Sequence, residues 1–276
     1  MPELPEVETV CRGLRKKLTG RRITRVVQRR ADLRKPLPKH FRARLKDRQV
    51  RRIDRRAKYI LLHLDSDLVL ILHLGMSGRL LIHDNPERVL ETHDHVAFYT
   101  DDRQLIVFRD PRRFGLVDLA SAYDLDKHPL LRDIGPEPLD PAFTPTVLST
   151  RLEGRKTLIK AALLDQRVVA GLGNIYVCEA LYRARISPRR QAATVAGRRA
   201  ERLVPAIRQV LADAIDAGGS SLKDYVQTDG ELGYFQHHFA VYDREGAKCP
   251  DCGCETGIKR INQGGRSTFY CSMRQR

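Results

Sequence analysis

The chain has 276 residues, 42% of them hydrophobic, and sets 50 Lys+Arg against 34 Asp+Glu, a formal charge of +16. That length admits two or three domains with their own cores, while no apolar run reaches the roughly 18 to 20 residues that span a bilayer and the N-terminus lacks a secretory pattern, so a soluble, cytoplasmic protein is expected. A basic surplus of this size points to a polyanionic partner, because Lys and Arg that neutralise phosphates release condensed counterions.

The chain opens "MPELPEVETV". A proline behind Met1 favours removal of the initiator, which leaves Pro2 with a free secondary amine. An ordinary α-amine has a pKa of about 7.7–8.0 against about 10.4 for lysine, so far more of it is unprotonated at neutral pH. Its adduct with an aldehyde-level carbon is an iminium, an electron sink, and Glu3 stands beside it as acid or charge stabiliser. Taken alone, the stretch reads more readily as a helix start, with Pro5 in the first turn and Glu3, Glu6 and Glu8 complementing the dipole. Val7, Val10, Cys11, Leu14 and Leu18 then follow at helical spacing.

Short β signals come next. "YILLHLDSDLVLILHLGMSGRLLIH" reads as two or three strands joined at Asp65-Ser66-Asp67 and at Gly75 to Gly78, and "HVAFYTDDRQLIVF" as a hairpin turning at Asp101-Asp102. The following "FRDPRRFG" sets Arg112 and Phe114 at the tip of a strand connection, where an aromatic wedges between bases and an arginine meets an unpaired one, unless the loop is a solvated basic turn. "DIGPEPLDPAFTPT" has four prolines and little periodicity, which marks a linker.

Beyond the linker, "RKTLIKAALLDQ", "IYVCEALYRARI" and "RRAERLVPAIRQVLADAIDA" are helical, and "VVAGLGNIYVCEAL" puts Gly171 and Gly173 before Asn174 at a helix start. That arrangement suits either phosphate binding or a plain N-cap by Asn174. At the C-terminus Cys249, Cys252, Cys254 and Cys271 cluster as Cys-x2-Cys-x-Cys-x16-Cys, while Cys11 and Cys178 stand alone. In a cytoplasmic protein such a cluster favours tetrahedral zinc over disulfides. Between its halves lies "GGRSTFY", a strand-like segment whose Arg266 suits a phosphate.

The segments "PELPEVET", "RRAKYILL", "HLGMSG", "HDHV", "DPRRFG", "LLDQRVVAGLGNIY", "LKDYVQTDGELGYFQ" and "GGRSTFYC", in this order, closely resemble bacterial formamidopyrimidine-DNA glycosylases along almost the whole chain. The resemblance implies an α+β multidomain fold: an N-terminal β-sandwich with an N-terminal helix over 1–131, a linker over 132–148, a helical helix-two-turn-helix domain over 149–243 and a zinc-finger-like β-hairpin over 244–276. It implies excision of oxidised purines from double-stranded DNA by a monomeric, nucleoid-associated enzyme, with Pro2 as nucleophile and Glu3 as its acid partner. Lys58 would move protons during elimination, and Arg266 would bind phosphate at the lesion and serve the second elimination. Met76, Arg112 and Phe114 would fill the gap left by a flipped nucleotide, and His93, Arg155 and Asn174 would grip the backbone. The segment 221–234 would cap the extruded base. The pattern is broken at Arg274, which stands where the family has its last cysteine; Cys254 restores a count of four thiolates for one structural zinc. Leu4, where the related endonuclease VIII type has glycine, favours purines over pyrimidines, and intact Pro2, Glu3 and Lys58 speak against a non-catalytic DNA-binding protein on the same scaffold.

Overall fold

The computed structural model describes residues 2–221, 227–228 and 230–276, which divide into two compact units. The first takes residues up to Arg132 together with Ala217–Tyr234. It begins with helix α1, Leu4–Leu18, whose stripe of Leu4, Val7, Val10, Cys11, Leu14 and Leu18 is buried, as helical spacing requires. Glu3 is the N-cap and forms a reciprocal capping box with Glu6, the Glu3 N–H donating to Glu6 Oε2 at 2.8 Å. Arg15, Lys16 and Lys17 complete the last turn, where positive charge meets the dipole's negative end.

The strands that follow are β1 (Arg22–Gln28), β2 (Arg48–Arg56), β3 (Tyr59–Leu64), β4 (Leu68–His73), β5 (Arg79–His83), β6 (Asp94–Thr100), β7 (Leu105–Arg109) and β8 (Leu116–Ser121), with the short helix α2 (Phe41–Leu45) after β1. They pair antiparallel in the order β5-β7-β6-β1-β2-β3-β4-β8. β1 meets β2 at only two residue pairs, Arg22 with Gln49 and Ile23 with Arg48, before running along β6. One buried cluster therefore draws on both halves: Val96, Phe98, Ile106 and Phe108 from one, Ile60, Leu62, Leu70 and Leu72 from the other, with Val10 and Leu14 of α1 and Phe41 and Leu45 of α2. In the three-residue connection between β3 and β4, Ser66 and Asp67 take left-handed backbone, with φ of 61° and 56°. Two described residues of 217–234 bond to this unit through their backbone groups: the Ser220 N–H donates to Glu6 Oε1 at 2.8 Å, and the Thr228 carbonyl accepts the Ile82 N–H at 2.9 Å.

The second unit comprises Asp133–Asp216 and Phe235–Arg276. Its helices are α3 (Pro145–Leu152), α4 (Ile159–Leu164), α5 (Asn174–Arg183) and α6 (Arg198–Asp216). Helix α3 arises inside the proline-rich stretch that the sequence marks as a linker. Pro145 is its first residue, where no N–H is missed, and Thr144 Oγ1 accepts the Val147 N–H at 3.3 Å. Helix α5 is buried from Ile175 to Tyr182, and the fully buried Glu179 accepts the N–H groups of Ala240, Val241 and Tyr242 at 2.8–3.0 Å. A two-stranded sheet of β9 (Lys259–Gln263) and β10 (Arg266–Tyr270) closes the chain, turning at Gly264 and Gly265 with φ of 58° and 74°. No helix among the described residues is long and apolar enough to cross a membrane.

Candidate functional site

At the head of α1, Pro2 and Glu3 are both buried, Glu3 being 3% exposed. The capping box accounts for the bland reading of the first residues, and it leaves Pro2 outside the helix with its backbone fixed by the residue that follows. Glu6 joins Glu3 to the 217–234 segment, because its two carboxylate oxygens accept from Glu3 N–H and Ser220 N–H.

Lys58 is the second residue of the turn between β2 and β3, after Ala57 at φ 51°, and is 6% exposed. The same unit holds His73 at the end of β4, which sequence reasoning passes over. Burial, followed by the positive charges of Lys58 and Arg34, pushes this imidazole down to about 4. It is neutral at pH 7, and its Nδ1 accepts the Gly75 N–H at 3.0 Å.

Two loops are stitched together beside it. Asp110, fully buried, accepts Ser77 Oγ–H at 2.6 Å on one carboxylate oxygen and Gly115 N–H at 2.7 Å on the other. Ser77 Oγ in turn accepts the Arg112 N–H at 3.2 Å, and His95 Nε2 meets the Asp110 carbonyl at 2.9 Å. Gly75, at φ 61°, lies so close to Phe114 that an added Cβ would fall 2.4 Å from its backbone, a contact only glycine permits. On this frame the tips stay out in solvent: Met76 is 36% exposed and Phe114 44%, and the Arg112 guanidinium lies 4.9 Å over the Phe114 ring. Exposed apolar tips on a rigid base suit insertion into a stacked partner. The motifs "HLGMSG" and "DPRRFG" carry this clamp in plain view, but only the fold reveals that Ser77 and Asp110 are partners.

His93 is exposed, ahead of β6. Its neighbour Asp94 has a fully buried carboxylate, for which burial is outweighed by hydrogen bonds from Arg109 (2.7 Å), the Glu91 N–H (2.9 Å) and Arg88 (3.0 Å), so its pKa lies below the usual range.

In the second unit Asn174 is the first residue of α5, and the cap is Gly173, so the plain N-cap reading of Asn174 gives way. The extended backbone of Gly173 carries the capping position, while the Asn174 Nδ2 reaches across to Ser267 O at 3.0 Å. That carbonyl also accepts from Lys160 Nζ at 2.9 Å, and Lys160, 1% exposed, bonds Thr268 Oγ1 at 2.6 Å. Thus α4 and α5 hold the strand that begins with exposed Arg266. Arg155 is half-buried, donating to Arg151 O at 2.8 Å and lying 3.6 Å from Asp165.

The cysteines converge at the hairpin. Cys249, Cys252 and Cys271 set their sulfurs within 4.8 Å of one another, and Cys254 Sγ lies 3.5 Å from Cys271 Sγ. Burial raises the Cys249 thiol, but hydrogen bonds from Tyr182 and from the Asp251 and Cys252 N–H groups bring it down to about 7. Arg274 turns away from ligation: its guanidinium pairs with Asp251 at 2.7 Å and lies 4.9 Å over the Tyr182 ring, whose hydroxyl meets Asp251 at 3.0 Å and Cys249 Sγ at 3.2 Å. Of the capping segment, 222–226 and 229 lie outside the described residues.

Residues 1–117 match the family described as Formamidopyrimidine-DNA glycosylase N-terminal domain, and 134–226 match Formamidopyrimidine-DNA glycosylase H2TH domain. The chain is 58% identical to the Formamidopyrimidine-DNA glycosylase of Rhodospirillum centenum over 290 residues and 56% identical to that of Dinoroseobacter shibae over 284, each alignment covering all of both chains. Among solved structures it is similar to the MutM (Fpg) protein of Thermus thermophilus, with TM-score 0.88, 41% identity and 99% and 98% of the two chains covered. It is also similar to a mutant Lactococcus lactis Fpg in complex with Fapy-dG containing DNA, with TM-score 0.89, 35% identity and 99% of each chain covered.

Proposed function

This chain belongs to the formamidopyrimidine-DNA glycosylase family, and on that premise we propose how its own residues divide the work. The protein is a base-excision-repair DNA glycosylase for oxidised purines, with the AP lyase activity known of the family. The reading of its residues is carried by one observation: Pro2 and Glu3 are buried at the head of α1, on a capping box that fixes the chain there.

An oxidised purine nucleotide is extruded, which exposes its anomeric carbon; Phe114 and Met76 occupy the emptied stack and Arg112 meets the unpaired base. The Pro2 nitrogen, freed by removal of Met1, attacks that carbon and the base departs. Glu3 serves as the acid while the sugar ring opens to an iminium. The cationic nitrogen acidifies the neighbouring sugar proton, Lys58 transfers protons, and β- then δ-elimination expel the 3′ and 5′ phosphates. Neutral His73 leaves Lys58 without a competing imidazolium. His93, Arg155 and Asn174 hold the backbone, and Arg266 binds phosphate at the lesion. The enzyme works as a monomer at the nucleoid, and the segment 221–234 covers the extruded base.

The four cysteines fit one structural zinc. Four Zn–S bonds of about 2.3 Å in a tetrahedron place sulfurs about 3.8 Å apart, close to the 3.5 Å between Cys271 and each of Cys252 and Cys254. The Cys249 thiol, brought down to about 7, is the readiest of the cluster to deprotonate, while burial pushes Cys271 up, so metal binding would have to displace that proton. The metal would staple a hairpin too small to order itself by apolar burial.

The test is reductive trapping. Incubation with a duplex containing 8-oxoguanine opposite cytosine and borohydride should yield a covalent adduct, lost in Pro2→Gly. An active protein that retains Met1, or an undiminished adduct in Pro2→Gly, would overturn the assignment.

A further inference from the structure

A cleft of about 640 Å³ opens in the first unit where α2 packs beside β1, and none of the residues proposed for catalysis or strand insertion lines it. Its walls carry Arg25, His40, Arg42 and Lys46, all exposed, over a floor that includes Val26 and Phe41. No carboxylate belongs to the lining. Among the described residues none of these four forms an ion pair, whereas four other arginines of the unit do: Arg21 with Asp102 at 3.0 Å, Arg22 with Asp65 at 4.0 Å, Arg48 with Asp65 at 3.9 Å and Arg52 with Asp54 at 2.7 Å. Arg25 is also held in place, its guanidinium 3.8 Å over the Tyr99 ring, so it is oriented before any ligand arrives.

We propose that this cleft binds the phosphodiester backbone of duplex DNA outside the segment engaged at the catalytic loops. Phosphate is the anion that several unpaired cations along an open cleft match. Arg25, Arg42 and Lys46 present cationic head groups to a ligand, and these read charge and not sequence. Arg25 pairs with Tyr99, six residues along β6 from His93, or roughly 20 Å at strand rise. The DNA that fills the cleft is therefore either the flank of the bound duplex or a second duplex. The proposal rests on DNA binding at the catalytic loops, and its test reads binding alone.

The experiment compares wild type with the triple variant Arg25→Gln, Arg42→Gln, Lys46→Gln, after a melting curve and single-turnover cleavage of a short lesion duplex show the variant folded and active. Binding is measured to labelled duplexes of about 10 and about 30 base pairs carrying an abasic-site analogue. Dissociation is then followed with increasing unlabelled duplex. If the cleft holds the flank, the variant loses affinity for the long duplex only, with a salt slope shallower by roughly 2.7, at about 0.9 per phosphate contact. If it holds a second duplex, wild-type dissociation accelerates with competitor concentration and the variant's does not. Equal affinities, slopes and competitor dependence in the two proteins overturn the proposal. Loss of short-duplex binding in the variant also overturns it, by making the cleft part of the catalytic footprint. Failure of wild type to bind either duplex would reject DNA binding itself, and with it this inference.

Discussion

Replacing Asp110 by alanine tests whether the loop clamp is what makes strand insertion possible. The carboxylate is fully buried and accepts two hydrogen bonds, from Ser77 Oγ at 2.6 Å and Gly115 N–H at 2.7 Å. Hydrogen bonds to a charged group contribute about 1.5–3 kcal/mol each, and the donors left behind are themselves costly when buried. The expected loss is therefore about 3–5 kcal/mol, concentrated in the 75–77 and 110–115 loops. Asp110→Asn, which keeps one acceptor oxygen, should lose less. Phe114 and Met76 would then no longer start from a fixed base, and misplacement by about 1 Å is enough to reduce rate about 100-fold. Base extrusion, followed by 2-aminopurine fluorescence beside the lesion, should slow by that order, while affinity for undamaged duplex, carried by phosphate contacts, stays near wild type. A cycle with Ser77→Ala should show coupling of about 0.5–3 kcal/mol, because the two side chains share a bond. A folded Asp110→Ala protein that extrudes the base at the wild-type rate, or additive effects in the cycle, would refute the clamp.

Phe114→Ala should impair extrusion more than non-specific binding, since the ring offsets unstacking of a few kcal/mol per step; proportional loss of both would reject the wedge. His73 carries a pH signature. Its folded pKa of about 4 lies below the ordinary 6.5, so the unfolded chain binds the proton first as pH falls. Its contribution is complete above pH 6.5 and is lost between pH 6.5 and 4, with a span of ~3 kcal/mol. Urea titrations across that window should show the decline in wild type and a flatter profile in His73→Gln. Metal analysis of protein prepared without chelator should find about one zinc per chain, and Cys254→Ser should lower zinc content and DNA binding together. Unchanged zinc in that variant would make Cys254 a bystander.

Local patterns in the chain were sufficient for part of its local structure. The helical stripe from Leu4 to Leu18 buries as a stripe because side chains three and four apart share a face, and turns at Ser66-Asp67 and Gly264-Gly265 take left-handed backbone because those residues tolerate it. Pro2, Glu3, Lys58 and the four clustered cysteines stand out by residue type, spacing and the family's motifs, and the roles proposed for them rest on that reading. Where reading along the chain failed, the cause was a partner far away in sequence or a cap beside it. Pro145 looked like a breaker until Thr144 capped the helix it begins. Lys160 sits 107 residues from the Ser267 carbonyl that it bonds, and a lysine in a helical stripe gives no sign of being buried. Ser77 and Asp110 are 33 residues apart, and His73 is neutral because the fold buries it and brings Lys58 and Arg34 near from other segments. Spacing showed that Cys254 was available; only folding brought its sulfur to Cys271 and turned Arg274 toward Asp251. Hydrophobic period and turn chemistry act over a few residues and are written in the chain, whereas electrostatic environment and hydrogen-bond partnership depend on which distant segments the core draws together.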